Sequence, residues 1–224
     1  MFDSIRDRTL VLFGELHGTA EAPALVAAAL EAAAARGGPV ALGIEWPDAL
    51  QVAIDSFLTT GDHGALVATP AGFWGWRDGR SSAAMIALLE HARTLHARVI
   101  CFDGEFGTAE QRDAGMAARL LAAIDADPIA VVLALCGNLH ARTNAPWMGW
   151  HLRARHPRLV SLDIRHAGGT AWCCTPEGEP GVESPFLAMA GQLERGIRLY
   201  ERPDDHGYDG EYAVGTITAS PPIV

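Results

Sequence analysis

Four segments of this 224-residue chain place acidic or histidine side chains directly after an apolar run. They are Gly14-Glu15-Leu16-His17, Ile44-Glu45-Trp46, Phe102-Asp103-Gly104-Glu105 and Gly137-Asn138-Leu139-His140. Asp163 with His166 repeats the pattern a fifth time. Side chains at i and i+2 of an extended chain point the same way, so Glu15 with His17, Asp103 with Glu105, and Asn138 with His140 read as same-side pairs. A carboxylate beside an imidazole fixes its tautomer and raises its basicity, and crowded carboxylates raise one another's pKa. The expected product is a general base poised near neutrality. The set His17, Glu45 and His140 can instead hold a divalent metal ion and acidify a bound water. Each such residue alone reads equally well as a cap or loop anchor at a strand end, so the repetition and the spacing within each segment carry the weight.

Arg80 is a candidate cation for a developing oxyanion or a substrate carboxylate, because a positive side chain just ahead of a helix is unfavourable to the helix dipole and implies another use. Arg77 reads as a solvated loop residue. Trp46 and Trp74, with Trp76, either line an apolar substrate pocket or pack a long loop against the core. His63, His91, His96, His151 and His156 have no partner at ligand spacing and read as surface residues. No Gly-x-Gly-x-x-Gly, Walker or Gly-x-Ser-x-Gly pattern is present, so a nucleotide site and a serine nucleophile have no support, and any hydrolysis would use activated water.

These residues must be positioned by a scaffold, and the chain alternates strand and helix signals. Strands are expected at Thr9 to Phe13, Val40 to Ile44, Val99 to Phe102, Ile129 to Cys136 and Leu159 to Ile164, the fourth being central. Helices are expected at Glu21 to Arg36, Ala49 to Leu58, after the Ser81-Ser82 cap, at Thr108 to Ile124 with a Thr108/Gln111 capping box, and at Trp147 to Arg155. Thr59 to Gly79 reads as a long loop, Pro176 to Gly181 as loop, Phe186 to Leu193 as helix, and Glu211 to Thr218 as an edge strand. That order implies right-handed crossovers and an α/β three-layer sandwich, a mostly parallel central sheet with helices on both faces, in one domain over residues 1–224. In such sheets ligands bind beyond the carboxyl ends of the strands, so one pocket would collect the scattered acids and histidines.

Composition bounds the partners. A formal charge of −10 provides no basic stripe for nucleic acid. No apolar run reaches the ~20 residues of a membrane span, and the first residues lack a secretory pattern, so a cytoplasmic protein is expected. Cys101 and Cys136 sit in apolar runs and read as small hydrophobes, and the adjacent Cys173 and Cys174 lack a Cys-x-x-Cys spacing. Oligomeric state stays open.

Gly-Glu-Leu-His-Gly-Thr after the first strand, a lone glutamate after the second, and Gly-Asn-Leu-His-Ala late in the chain resemble the superfamily joining erythromycin esterases, ChaN-like haem-binding lipoproteins and TraB/Tiki-type peptidases. The resemblance spans roughly Thr9 to Ile164, and its specificity lies in the order of short motifs. It implies a sheet flanked by helices and functional roles for Glu15, His17, Glu45 and His140. In the esterases the first motif has one more residue between glutamate and histidine than Glu15-Leu16-His17. The spacing here is nearer the Gly-x-x-His pattern of the TraB/Tiki branch, whose histidines are proposed metal ligands. The haem branch uses a tyrosine, and Tyr200, Tyr208 and Tyr212 lie outside the matching motifs. The expected function is a hydrolase of ester, lactone or peptide bonds acting on a small-molecule or peptide substrate, with a haem- or small-ligand-binding protein as the alternative.

Overall fold

The computed structural model describes residues 2–5, 10–68, 73–75, 77–104, 107–126, 131–174, 180–189 and 193–223. Apolar runs with no polar face can only be strands covered on both sides, and the two strongest, β1 (Leu10–Glu15) and β4 (Val131–Gly137), lie side by side in parallel. Around them are β2 (Val40–Pro47), β3 (Arg98–Asp103), β5 (Val160–Cys174), β6 (Pro180–Phe186), β7 (Gly196–Leu199) and β8 (Gly210–Ile217). The sheet runs β3-β2-β4-β1-β5-β8-β7, with β6 pairing β5. Every pairing is parallel except β5 with β6 and β7 with β8.

The helices are α1 (Glu21–Ala34), α2 (Gln51–Thr60), α3 (His63–Val67), α4 (Ala83–Thr94), α5 (Ala109–Ala126), α6 (Asn138–Ala141) and α7 (Met148–Arg155). Alternation along the strands divides the core. Val11, Phe13, Leu42, Ile44, Leu133 and Leu135 pack with α1, α2 and α4, while Leu10, Leu12, Ala41, Val132, Ala134 and Cys136 pack with α5 and α7. This is the three-layer α/β arrangement that the sequence implies. On α5, Asp113 falls on the same stripe as the buried Met116, Ala117, Leu120 and Leu121. The expected capping box forms, with Thr108 N donating to Gln111 Oε1 at 3.0 Å and Gln111 N to Thr108 Oγ1 at 3.2 Å.

Several expectations are corrected. The long loop after α2 contains α3, capped by Asp62 accepting from Ala65 N, and a 3-10 turn at Phe73–Gly75. Five residues are too few to show a helical period in sequence. The fifth strand runs ten residues past Ile164 and turns back as β6, so Phe186 ends a strand rather than starting a helix. Residues 190–192 of that expected helix, and 176–179 of the expected loop, lie outside the described residues. The expected edge strand, β8, is paired on both sides because β7 covers it.

The true edge at β3 is protected by a side chain. Gln51 Nε2 donates to Val99 O and its Oε1 accepts from Cys101 N, both at 2.9 Å, imitating a neighbouring strand. Among the described residues no helix is long and apolar enough to cross a membrane. Cys101, Cys136 and Cys173 are buried free thiols, and burial pushes the Cys101 and Cys136 thiols up, as expected of cysteines used as hydrophobes.

Candidate active site

Glu15 ends β1, and His17 follows in a turn where the chain reverses beside Gly18, whose φ is +74°. A Cβ at Gly18 would lie 2.0 Å from the Trp172 carbonyl, so only glycine lets the β5–β6 hairpin approach this closely. Glu15 Oε1 and His17 Nδ1 are 3.0 Å apart, the same-side pair expected from the spacing. The hydrogen bond turns His17 Nε2 toward Glu45, 3.7 Å from its Oε2. Glu15 is 4% exposed, and its Oε2 has no hydrogen-bond partner among the described residues.

Glu45, also buried, is the hub. Its Oε2 accepts from Gly137 N at 2.7 Å, which ties β2 to the end of β4. Its Oε1 accepts from Arg112 Nη2 at 2.7 Å and from Arg80 Nη1 at 3.4 Å. Asp103 takes the other side of both guanidinium groups: Arg80 Nη1 is 2.6 Å from Oδ2, while Arg112 Nε and Nη2 reach Oδ1 and Oδ2 at 2.9 and 2.8 Å. Arg80 is further held by Asp78, to which Nε and Nη2 both donate, so its charge is spent on three carboxylates.

His140 arrives from a helix. Asn138 and His140 sit in α6 rather than in extended chain, and in a helix i and i+2 diverge by about 200°. The expected same-side pair therefore does not exist, although both residues border the same cleft. His140 Nδ1 lies 2.8 Å from Asp113 Oδ1, and its Nε2 lies 3.1 Å from Arg112 Nη1. Because arginine only donates, Nε2 must accept, which leaves the Nδ1 hydrogen to be donated to Asp113. Asp113 is 2% exposed and also accepts from Met148 N at 2.7 Å, so this orientation is fixed from behind.

Gly14 makes this arrival possible. A Cβ there would sit 3.0 Å from both Ala141 Cβ and Asn138 Cα, so α6 lies directly on β1. The Tyr208 hydroxyl donates to Asn138 O, and Ser161 Oγ donates to Ala141 O, clamping the helix from the far side.

Burial would lower the pKa of His17, but Glu45 and then Glu15 outweigh it and hold the imidazole above its ordinary value of 6.5. Glu15 moves up, through burial first and against the pull of His17. Burial also opposes ionisation of Glu45 and Asp103, yet both end below the usual carboxylate range. The surrounding cations prevail, His17 first at Glu45 and Arg112 first at Asp103.

A cleft of about 330 Å³ opens over these groups, lined by the polar Glu15, His17, Asp78, Asn138 and His140 together with the apolar Leu16, Leu139, Cys173 and Phe186. Trp46 and Trp74 do not line it. Glu45 faces α5, so its strand neighbour Trp46 points to the opposite face, 0% exposed, stacking edge-on with Phe73 and Trp74. Trp74 Nε1 donates to Leu66 O and is equally buried. Both belong to the core, as one of the two readings of the aromatic loop held; Trp76 and Glu105 lie outside the described residues.

Asp163 and His166 are placed elsewhere. Asp163 pairs across to Gly14 and Glu211, with Arg165 Nε 3.9 Å away, and burial pushes its carboxyl up to about 6. His166 Nδ1 accepts from Gly168 N inside β5, and burial lowers its pKa. Arg112 and Asp113, which sequence reasoning missed, are central. Asp113 carried a signal, a carboxylate on the apolar stripe of its helix, whereas Arg112 carried none.

Among the described residues no group of three His, Cys, Asp or Glu side chains is arranged to hold a metal ion. The physical reason is that guanidinium nitrogens stand at the faces of Glu45 and His140 where a cation would bind. The expected set of His17, Glu45 and His140 therefore does not fit a metal. Tyrosines do not reach the cleft either: Tyr208 and Tyr212 are buried, and Tyr200 donates to Glu211 Oε2 at 2.9 Å.

No family model and no curated protein matches the sequence. Solved structures do match. A succinoglycan biosynthesis protein superposes with a TM-score of 0.74 at 9% identity, covering 98% of this chain and 91% of its own. An erythromycin esterase mutant, EreC in its open conformation, gives 0.70 at 11% identity, covering 97% and 93%. ChaN of Campylobacter jejuni, described with cofacial haem binding, gives 0.52 at 9% identity, covering 84% and 90%. At these identities the likeness is one of fold, and the chain has the fold shared by erythromycin esterase and ChaN.

Proposed function

We propose that the protein is a hydrolase of ester, lactone or peptide bonds in which His17 activates water. The observation that carries the reading is the Glu15–His17 pair at 3.0 Å at the floor of a cleft, with Glu45 beyond Nε2. Glu15 orients the ring, and Glu45 and Glu15 together supply the basicity that burial would remove. The neutral Nε2 takes a proton from water as its oxygen bonds to the substrate carbonyl carbon. The carbonyl π electrons move onto oxygen; when they return, the C–O or C–N bond breaks, and the leaving group takes the proton back from His17. The imidazolium formed by that transfer is stabilised by Glu45 and Glu15, and it is the cation beside the developing negative charge. The fold shared with an esterase supports the reading at the level of scaffold.

His17→Ala should lower turnover of an accepted ester, lactone or peptide by about 10²–10⁴-fold, the usual contribution of a positioned acid or base, with an unchanged far-UV spectrum. Retained turnover would defeat the proposal, and a stoichiometric haem Soret shift lost in the same variant would favour ligand binding instead.

A further inference from the structure

Two leucines travel with the histidines. Glu15-Leu16-His17 and Asn138-Leu139-His140 leave different strands, yet Leu16 and Leu139 both line the cleft over His17, as do Cys173 and Phe186. Leu139 remains 43% exposed although its helix is clamped in place. A single exposed leucine needs no explanation, but apolar side chains from three segments gathered on one cavity are what a ligand's apolar body requires.

The polar groups bordering the same space are engaged elsewhere. His140 uses both ring nitrogens, on Asp113 and Arg112, and Asp78 takes Arg80 N on Oδ1 and Arg80 Nε and Nη2 on Oδ2. Among the described residues no arginine lines the cleft, and the chain contains no lysine. A carboxylate does stand in the wall: Asp78 is 35% exposed, and although burial opposes its ionisation, Arg80 outweighs burial and holds it below the ordinary range. His17 must be neutral to act as a base, so in the working state it offers an anion no charge. An anionic ligand would therefore meet a like charge with no guanidinium to receive it. Size narrows the choice further. A volume of about 330 Å³ is roughly eleven water-sized groups at ~30 Å³ each, which suits a short acyl chain with its carbonyl.

We propose that the cleft binds an uncharged short-chain acyl group, its chain against Leu16, Leu139 and Phe186 and its carbonyl beside His17, and that Asp78 excludes anionic acyl groups. This acyl group is the substrate body of the proposed hydrolysis, and the assignment rests on that reading for its chemistry, whereas its binding requires no turnover.

The test is an NMR titration of the full chain with 2-alkanones, which carry the carbonyl but no bond to hydrolyse, read at the methyl signals of Leu16 and Leu139. 2-Heptanone should shift both sets and saturate, with affinity rising about fourfold per methylene from 2-pentanone, the worth of a buried CH₂. Hexanoate, of equal size but anionic, should bind more weakly by about tenfold or more, as like-charge juxtaposition demands. Asp78→Asn should narrow that gap. Leu139→Ser alters a side chain already 43% exposed, so the fold is kept, and 2-heptanone should bind about fivefold more weakly. The proposal is overturned if hexanoate binds as tightly as 2-heptanone, if affinity does not grow with chain length, if the leucine methyl signals stay unmoved, or if Leu139→Ser binds unchanged. The expected binding pattern without turnover of p-nitrophenyl butyrate or hexanoate would uphold the acyl site and sink the hydrolase reading.

Discussion

At His17 the competing forces can be ordered. Burial favours the neutral ring, and Glu45 and Glu15 favour the charged one; the carboxylates win, so the folded-state pKa lies above 6.5. A base must be neutral to act, so kcat/KM should rise with pH along a limb centred above 6.5. Glu45→Gln removes the larger of the two opposing charges and should move that limb downward, as a pH–rate profile would show. A limb unmoved by the substitution would mean that Glu45 does not set the basicity of His17. The Glu15–His17 pair was legible in sequence because an i, i+2 spacing fixes direction in extended chain. The same alternation placed Trp46 opposite Glu45, so its exclusion from the cleft was equally available. Arg112 was not legible, because a long flexible side chain on a helix can point to many places and only the carboxylates waiting at the ends of β2 and β3 select one.

At the scale of elements, α6 shows how a four-residue helix can be positioned by what it rests on. It follows β4 without a linker, lies against Gly14 of β1, and is clamped by Tyr208 and Ser161. Gly14→Ala has no room at 3.0 Å from two atoms of that helix, so the helix must shift. We expect a loss of about 1–3 kcal/mol in denaturant unfolding, typical of overpacking, together with a larger loss of kcat than any change in KM. Unchanged kcat would show that His140 tolerates displacement. The parallel strands and their helices were readable from unbroken apolar runs and capping signals. The β5–β6 hairpin was not, since its residues Gly168 to Cys173 mix glycine, polar and apolar types with buried and half-buried positions that do not alternate, and α6 and α3 are too short to carry a period.

At the scale of the whole molecule, the sheet has an end that is closed by chemistry rather than by another strand. Gln51 satisfies Val99 O and Cys101 N on β3, leaving little for a second chain to pair with. Gln51→Ala should cost about 1–3 kcal/mol through the orphaned backbone groups and should raise the tendency to self-associate, measurable as concentration-dependent mass in light scattering. A variant that stays at its original mass and stability would show that water serves that edge equally well. The sequence conveyed the layering and the convergence of strand ends, because both follow from alternation and handedness. It could not convey how the edges are finished, because that depends on single side chains meeting backbone distant in the chain.

The junction at Gly18 has a mechanical consequence. Trp172 N donates to Gly18 O, and a Cβ on Gly79 would lie 2.5 Å from Gly18 N, so three backbones touch at one point: the turn carrying His17, the segment leading to Arg80, and the hairpin bearing Cys173. Such an abutment behaves as a keystone. Lifting any one of the three would pull the base, its acidic partners and their counterions out of register together, so the hollow over His17 is held open as a fixed shape.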